Sequence, residues 1–211
     1  SDYLSSCALI DDGTVWCWGT NAAGQVGDGT NVERSSPVQV VGLTDAVDIS
    51  VGMAHSCAVR AAGSASCWGY NFWGQLGDGM TDDAWAPVEV HGIHDIIQIA
   101  AAAYHTCALD RAGDVSCWGD NRSGQLGIPA DGSTHTDPVT VDGLPPVVDL
   151  AAGYTHTCAI DETGGVWCWG DNVLGMLGNG EDHTSSDVPV EVVGLDDATA
   201  IDGGFWHNCG A

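Results

Sequence analysis

The chain of 211 residues has no lysine, and its only permanently basic side chains are Arg34, Arg60, Arg111 and Arg122. Against them stand 29 acidic residues, for a net charge of −25 with histidine neutral. Phosphate-binding surfaces work by displacing counterions with clustered Lys and Arg, so nucleic acid and anionic membrane surfaces are poor partners. No apolar run reaches the ~20 residues of a membrane-spanning helix, and membrane insertion is not expected. The opening SDYLSS lacks the basic and apolar regions of a secretion signal. It reads as a chain whose signal has been removed, or as a piece of a longer one. Also missing are a sustained helical period, a paired Cys-x2-Cys, an EF-hand spacing and any nucleophile or acid–base pair that stands apart from the rest.

What the chain has is repetition. SCALIDDGTVWCWG at 6–19 recurs as SCAVRAAGSASCWG at 56–69, TCALDRAGDVSCWG at 106–119 and TCAIDETGGVWCWG at 157–170, and a fifth copy starts at Cys209. The first cysteines advance by 50, 50, 51 and 51 residues. Counted this way, the single array 1–211 divides into units of about 1–50, 51–100, 101–151 and 152–202 with a partial 203–211. Each unit runs from a small-residue stretch through a histidine (His55, His105, His156, His207; Ser5 in the first copy) to the two-cysteine segment. W-G-x-N-x-x-G follows, then a variable acidic loop, then P-V and a V-x-G turn. The segments are short, rich in β-branched and aromatic residues, and punctuated by 30 glycines. Such spacing predicts an all-β chain, and a unit of this length predicts a β-propeller of four-stranded blades: four full repeats plus part of a fifth.

A hairpin turning at Asp11, Asp12 and Gly13 pairs residues whose numbers sum to 24, which sets Cys7 opposite Cys17 and Leu9 opposite Val15. Glycine closes such a three-residue loop because it accepts positive φ. The same arithmetic pairs Cys57 with Cys67, Cys107 with Cys117 and Cys158 with Cys168. Opposed residues in antiparallel strands come close enough to bridge, so four cross-strand disulfides are expected. Zinc is the rival, but His-x-Cys-x9-Cys offers three ligands and no second pair completes a tetrahedron. Four regular disulfides point to an oxidising compartment, hence a secreted or cell-surface protein. Each closes a short loop, worth about 2–3 kcal/mol in the chain-entropy account. Along the first hairpin Cys7, Leu9, Val15 and Cys17 share one face while Ala8, Trp16 and Trp18 share the other. Both faces are apolar, so the sheet has to be sandwiched between neighbours.

The pattern H-[ST]-C-A-[LIV]…G-x-V-x-C-W-G-x-N-x-x-G-Q-L-G…P-V-x-V-x-G-L resembles the regulator of chromosome condensation repeat in its cysteine-bearing bacterial form, over essentially the whole chain. The resemblance implies a propeller, typically seven-bladed, without a general catalytic activity. The nucleotide-exchange and chromatin roles of the eukaryotic namesake do not carry over, since chromatin contact there needs a basic surface. Other relatives are protein-binding scaffolds, and one secreted bacterial propeller inhibits β-lactamases. Fold alone does not decide among these. The copy number is short of seven, and residues 203–211 align with 1–9, leaving Cys209 unpaired. The chain is therefore expected to be part of a longer one, or alternatively a protomer that lends strands to its neighbour.

The recurring histidines and the Asn of W-G-x-N (Asn21, Asn71, Asn121, Asn172) behave as scaffold; the histidines are expected to bond backbone within their own blades. Function is sought where the copies differ. In the second unit Tyr70, Phe72 and Trp73 occupy the x-N-x-x turn, with Trp85 in the next loop. A second set, Tyr104, Tyr154, Phe205 and Trp206, precedes the histidines. Of these, Tyr70, Phe72, Trp73, Trp85, Tyr104, Tyr154 and Trp206 are the candidate partner-binding residues, since loop aromatics supply protein-binding hot spots. No cofactor is expected, with calcium at Asp78, Asp82 and Asp83 as a weak candidate. The leading expectation is a non-enzymatic secreted or surface module for protein binding or adhesion. A self-assembling structural protomer and a secreted enzyme inhibitor are the alternatives.

Overall fold

The computed structural model describes residues 5–181 and 183–211. It is all-β, with seventeen strands in five antiparallel sheets. The first blade holds β1 (Ser5–Leu9), β2 (Val15–Gly19) and β3 (Arg34–Gln39). Three four-stranded blades follow: β4 (Ala46–Val51) to β7 (Ala84–Glu89), β8 (Ile96–Ala101) to β11 (Thr134–Thr140), and β12 (Val147–Ala152) to β15 (Ser186–Glu191). The fifth is represented by β16 (Ile201–Gly203) and β17 (Asn208–Gly210).

In every complete blade the strands pair in chain order. The sheets are out of phase with the units counted from the cysteines. Each takes its first strand from the end of the preceding unit, because a turn such as 52–54, closed by Gly52 N–H donating to the His55 carbonyl at 2.9 Å, folds β4 back onto β5 (His55–Arg60) with Ser50 opposite Cys57. First strands lie side by side from blade to blade, joined by side chains in place of a continuous ladder. Asp48 accepts from Ile99 N–H at 3.1 Å, Ser50 from Ala101 N–H at 2.9 Å, and Asp149 from Ile201 N–H at 2.9 Å. Burial pushes the Asp48 carboxyl above the usual range. The outermost strands β3, β7, β11 and β15 each carry the proline of the P-V motif (Pro37, Pro87, Pro138, Pro189), which keeps a free edge from pairing further.

The hairpin arithmetic holds: Cys7, Cys57, Cys107 and Cys158 stand opposite Cys17, Cys67, Cys117 and Cys168, and all four pairs are disulfide-bonded with Cα atoms 4.0–4.1 Å apart. The first three bridges lie beneath the next blade. Trp68 packs in a cluster with Cys17, Trp118 with Cys57 and Cys67, and Trp169 with Cys107 and Cys117. All three indoles are completely buried.

Polar atoms lock the same joints. The Gln25 carbonyl accepts from the Trp68 indole at 3.0 Å, the Gln75 carbonyl from Trp118 at 2.9 Å, and the Gln125 carbonyl from Trp169 at 3.0 Å. The Thr106 hydroxyl donates to the same Gln75 carbonyl at 2.8 Å, and Thr157 to Gln125 at 2.9 Å. With the hydroxyl proton so committed, Nε2–H of His55 donates to Thr106 at 2.8 Å and that of His105 to Thr157 at 2.9 Å. His156 reaches Asn208 Oδ1 at 2.9 Å. The histidines thus differ from the sequence expectation. Their partners are side chains of the following blade, because each ring is buried at the joint, where its own blade's backbone is already paired.

Burial pushes the pKa of His55 and of His105 from 6.5 down to about 3, and lowers that of His156. The unfolded chain then binds protons below pH 6.5 that the folded chain refuses. This contribution is complete above pH 6.5 and is lost as pH falls toward 3, at up to about 1.4 kcal/mol per pH unit for each histidine. Urea unfolding at pH 7.5 and pH 5 should show the lower midpoint at pH 5; equal midpoints would contradict neutral buried histidines. Trp118→Ala is expected to cost about 3–5 kcal/mol through the cavity it leaves. Thr106→Val strands a buried imidazole donor, at about 1–3 kcal/mol. Both are read by the same unfolding assay, and a Thr106→Val variant as stable as its parent would remove the relay from the account.

Candidate functional site

Two sets of loops meet at one rim, and a backbone bond brings them together. After each W-G the next residue donates its N–H to the carbonyl just before the histidine: Tyr70 to Ala54 at 2.9 Å, Asp120 to Tyr104 at 3.0 Å, and Asp171 to Thr155 at 2.8 Å. The glycine makes this approach possible. Gly69 has φ +108°, and a Cβ there would lie 2.6 Å from the Ala54 carbonyl oxygen. The Asn two residues past each glycine is buried and holds the turn from inside. Asn71 Oδ1 accepts from Leu76 N–H at 2.9 Å, while its amide donates to the Met80 carbonyl at 3.1 Å.

On this rim the two aromatic sets form one arc. Tyr70 stacks on Phe72 with ring centres 6.4 Å apart, Phe72 meets Trp73 edge-on at 5.0 Å, and Trp73 approaches Tyr104 at 6.2 Å. Tyr104 meets Tyr154 at 5.5 Å, and Tyr154 contacts Phe205 at 4.2 Å and Trp206 at 4.9 Å. Such geometries add to area burial by about 0.5–1.5 kcal/mol per pair. Even so, Phe72 remains 60% exposed, Phe205 52% and Trp206 42%. The arc borders an apolar depression of 240 Å³ walled by Met53, Tyr154 and Phe205 and floored by Ala102, Gly153 and Gly204. The seven residues drawn from two distant motifs are thus neighbours in space.

Trp85 lies elsewhere. It sits on β7, against the Gly24 turn of the first blade, and no ring contact joins it to the arc among the described residues. Arg122 was not singled out from the sequence, yet its guanidinium lies 4.0 Å from the Trp73 ring centre. Asp120, itself buried, holds it with Nε to Oδ1 at 2.9 Å and Nη2 to Oδ2 at 3.0 Å. This pairing raises the Arg122 pKa. The available signal was the D-N-R order in the third W-G-x-N turn, which puts an acid and a base on one loop.

The acidic loop of the second blade is occupied with its own backbone. Asp78 Oδ1 accepts from Met80 N–H at 3.1 Å and the Asn71 amide at 3.2 Å, and Asp83 Oδ1 accepts from Asn71 N–H at 2.8 Å. Burial and the adjacent Asp82 raise the Asp83 carboxyl, against the pull of that amide. Among the described residues no three His, Cys, Asp or Glu side chains come together as a metal site. No described helix is long and apolar enough to cross a membrane.

Solved structures share the architecture. Prp20p of Saccharomyces cerevisiae, a protein that binds Gsp1p and histones, superposes with a TM-score of 0.87 at 22% identity, covering 98% of this chain and 53% of its own. Human WBSCR16 gives 0.83 at 24% identity, covering 94% and 54%. The ectodomain of the Physcomitrella patens receptor kinase CR4 gives 0.56 at 23% identity, covering 98% and 46%. The chain spans about half the length of these proteins, and at such identities the likeness is one of fold. The sequence has no significant match among curated proteins. A model of the RCC1-like domain matches residues 3–210, nearly the entire chain and the same repeats that build the blades, and the chain belongs to the RCC1-like domain family.

Proposed function

We propose that this chain is a non-catalytic, disulfide-braced propeller module that works outside the cell or at its surface by holding a protein partner against the aromatic rim. The observation that carries the reading is the continuous arc from Tyr70 to Trp206, exposed at Phe72, Phe205 and Trp206 and built where the repeats disagree. The arc's rings touch from blade to blade, yet its positions carry aromatics in some repeats and small or polar residues in others, unlike the tryptophan and glutamine of the buried joints. Aromatic anchors flanked by polar groups are the side chains on which protein interfaces concentrate their energy. The oxidised cysteines favour an extracellular setting, and the CR4 ectodomain supplies an extracellular likeness in fold. Adhesion is the role this combination serves best.

Self-association is a second reading. An apolar cleft of 340 Å³ opens beside Ile160, Val166 and Leu177, on the cysteine face of the fourth blade. The corresponding faces of the three preceding blades are each filled by a tryptophan. A tryptophan-bearing hairpin from a second copy would suit it. Mass that grows with concentration in sedimentation supports this reading, and a constant monomer mass removes it.

For the leading reading, Phe72→Ala with Trp206→Ala should lower capture of the partner by tenfold or more, about 1.4 kcal/mol or above. Affinity enrichment from extracellular proteins of the source, run beside Trp85→Ala, measures this. The double variant gives up four ring contacts, together about 2 kcal/mol or more, so capture is compared under conditions where unfolding curves show both proteins fully folded. Undiminished capture would overturn the assignment of the rim.

A further inference from the structure

We infer that the rim selects a basic partner segment, seating an arginine or lysine side chain over its aromatic rings with Asp171 as counter-charge. The inference rests on the rim being the binding face and names the chemistry of what binds.

The chain contains its own example of the arrangement. In the third blade Asp120 is anchored to the neighbouring loop by its backbone, and its carboxylate grips Arg122 through two bonds. The guanidinium thereby lies over Trp73 of the blade before, 4.0 Å from the ring centre. Arginine flat on an indole, with a carboxylate behind it, is a favoured cation–π geometry.

One blade further on the acidic half of the construction recurs without the cation, and Ser123 stands at the position from which Trp73 offers its ring to Arg122. Asp171 holds the position of Asp120, with its N–H on the Thr155 carbonyl at 2.8 Å. Two residues later stands Val173, 55% exposed, where the third blade has Arg122. Among the described residues the Asp171 carboxylate accepts from the Val173 amide at 3.1 Å and from the Thr155 and Ser185 hydroxyls at 3.3 Å. It has no ion-pair partner among the described residues. Tyr154, next to Thr155, leads directly into the Phe205 and Trp206 end of the arc. The Asp171 carboxylate is thus bonded to Thr155, whose chain neighbour Tyr154 packs against Phe205 and Trp206.

Charge elsewhere points the same way. Arg34, Arg60 and Arg122 are already paired with Asp28, Asp45 and Asp120. With a net charge of −25 the chain offers almost nothing to repel a basic segment and draws it in from a distance. A flat aromatic surface also suits a sugar ring, whose hydroxyls donate to carboxylates too; the net charge of −25 is what favours a cation over a neutral sugar.

The test uses the intact oxidised chain and three probes at about 0.15 M salt, where long-range attraction is screened. They are a Gly-Ser peptide bearing three arginines, the same peptide with citrulline in place of arginine, and a neutral oligosaccharide. The arginine peptide should bind, with affinity reduced about tenfold or more by Asp171→Asn and by Phe205→Ala with Trp206→Ala, and unchanged by Trp85→Ala. The citrulline peptide should fail to bind. Equal binding of both peptides, lost in the aromatic variant, would keep the rim as a protein-binding face and overturn the choice of a cation. Arginine-peptide binding indifferent to every rim variant would be bulk attraction alone and overturns the inference. Binding of the oligosaccharide alone would overturn it together with the protein-binding reading. Unfolding midpoints of the variants, matched to the parent, confirm that each result reports on binding.

Discussion

The structure depends on one joint, repeated. A tryptophan from each of the second, third and fourth blades lies on the disulfide-bearing face of the blade before it, and its indole N–H donates to a glutamine carbonyl there. A single blade cannot bury either of its apolar faces; stacking buries both. The joint also sets orientation, because the same carbonyl takes a threonine hydroxyl whose oxygen receives the histidine. A buried carbonyl, hydroxyl and imidazole satisfy one another only in one relative placement of the two blades. The disulfide acts within a blade, holding the second and third strands together where the tryptophan presses on them.

Because the joint consumes its residues, it constrains them to repeat. The rim is released from that requirement. Glycine carries the backbone through a crowded crossing, the buried asparagine holds the turn, and the intervening side chains point where no blade needs them. The second unit places aromatics there, the third an Asp–Arg pair, and the fourth an aspartate with two aliphatics. An arc of rings across several blades results from substitutions that cost the scaffold little. The axis is a third environment, where Asp48 and Asp149 replace a continuous ladder by capping the backbone of the next first strand.

Much of the fold was legible because two periods coincide in the sequence. Counting outward from the turn at Asp11, Asp12 and Gly13 gave the hairpin register and Cys7 opposite Cys17, and alternation along the strands assigned the faces. The fifty-residue period supplied the architecture, and the resemblance to the chromosome-condensation repeat agreed with it. The blade phase was less visible, since a count from cysteines cannot tell that AVDIS folds back onto the strand after it. The histidines were recognised as scaffold but assigned the wrong partner, as nothing local shows that Thr106 faces His55 across a joint. On the rim, Tyr70 and Tyr154 stand 84 residues apart in the chain, and their membership of one arc arises only from stacking. Trp85 looked alike in the sequence and belongs to the outer edge, because it lies on strand β7 and packs on the Gly24 turn of the first blade.

The molecule divides into a scaffold of repeated joints and a rim whose variable side chains are proposed to meet a basic partner. Hydrogen exchange of the oxidised chain, with and without the arginine peptide, tests that separation most directly. The account predicts slowed exchange confined to the rim turns around residues 52–54, 70–74, 103–105, 153–155 and 204–207, with the strands at the joints unchanged. Protection centred on the outer strands, or spread evenly over the blades, would contradict it.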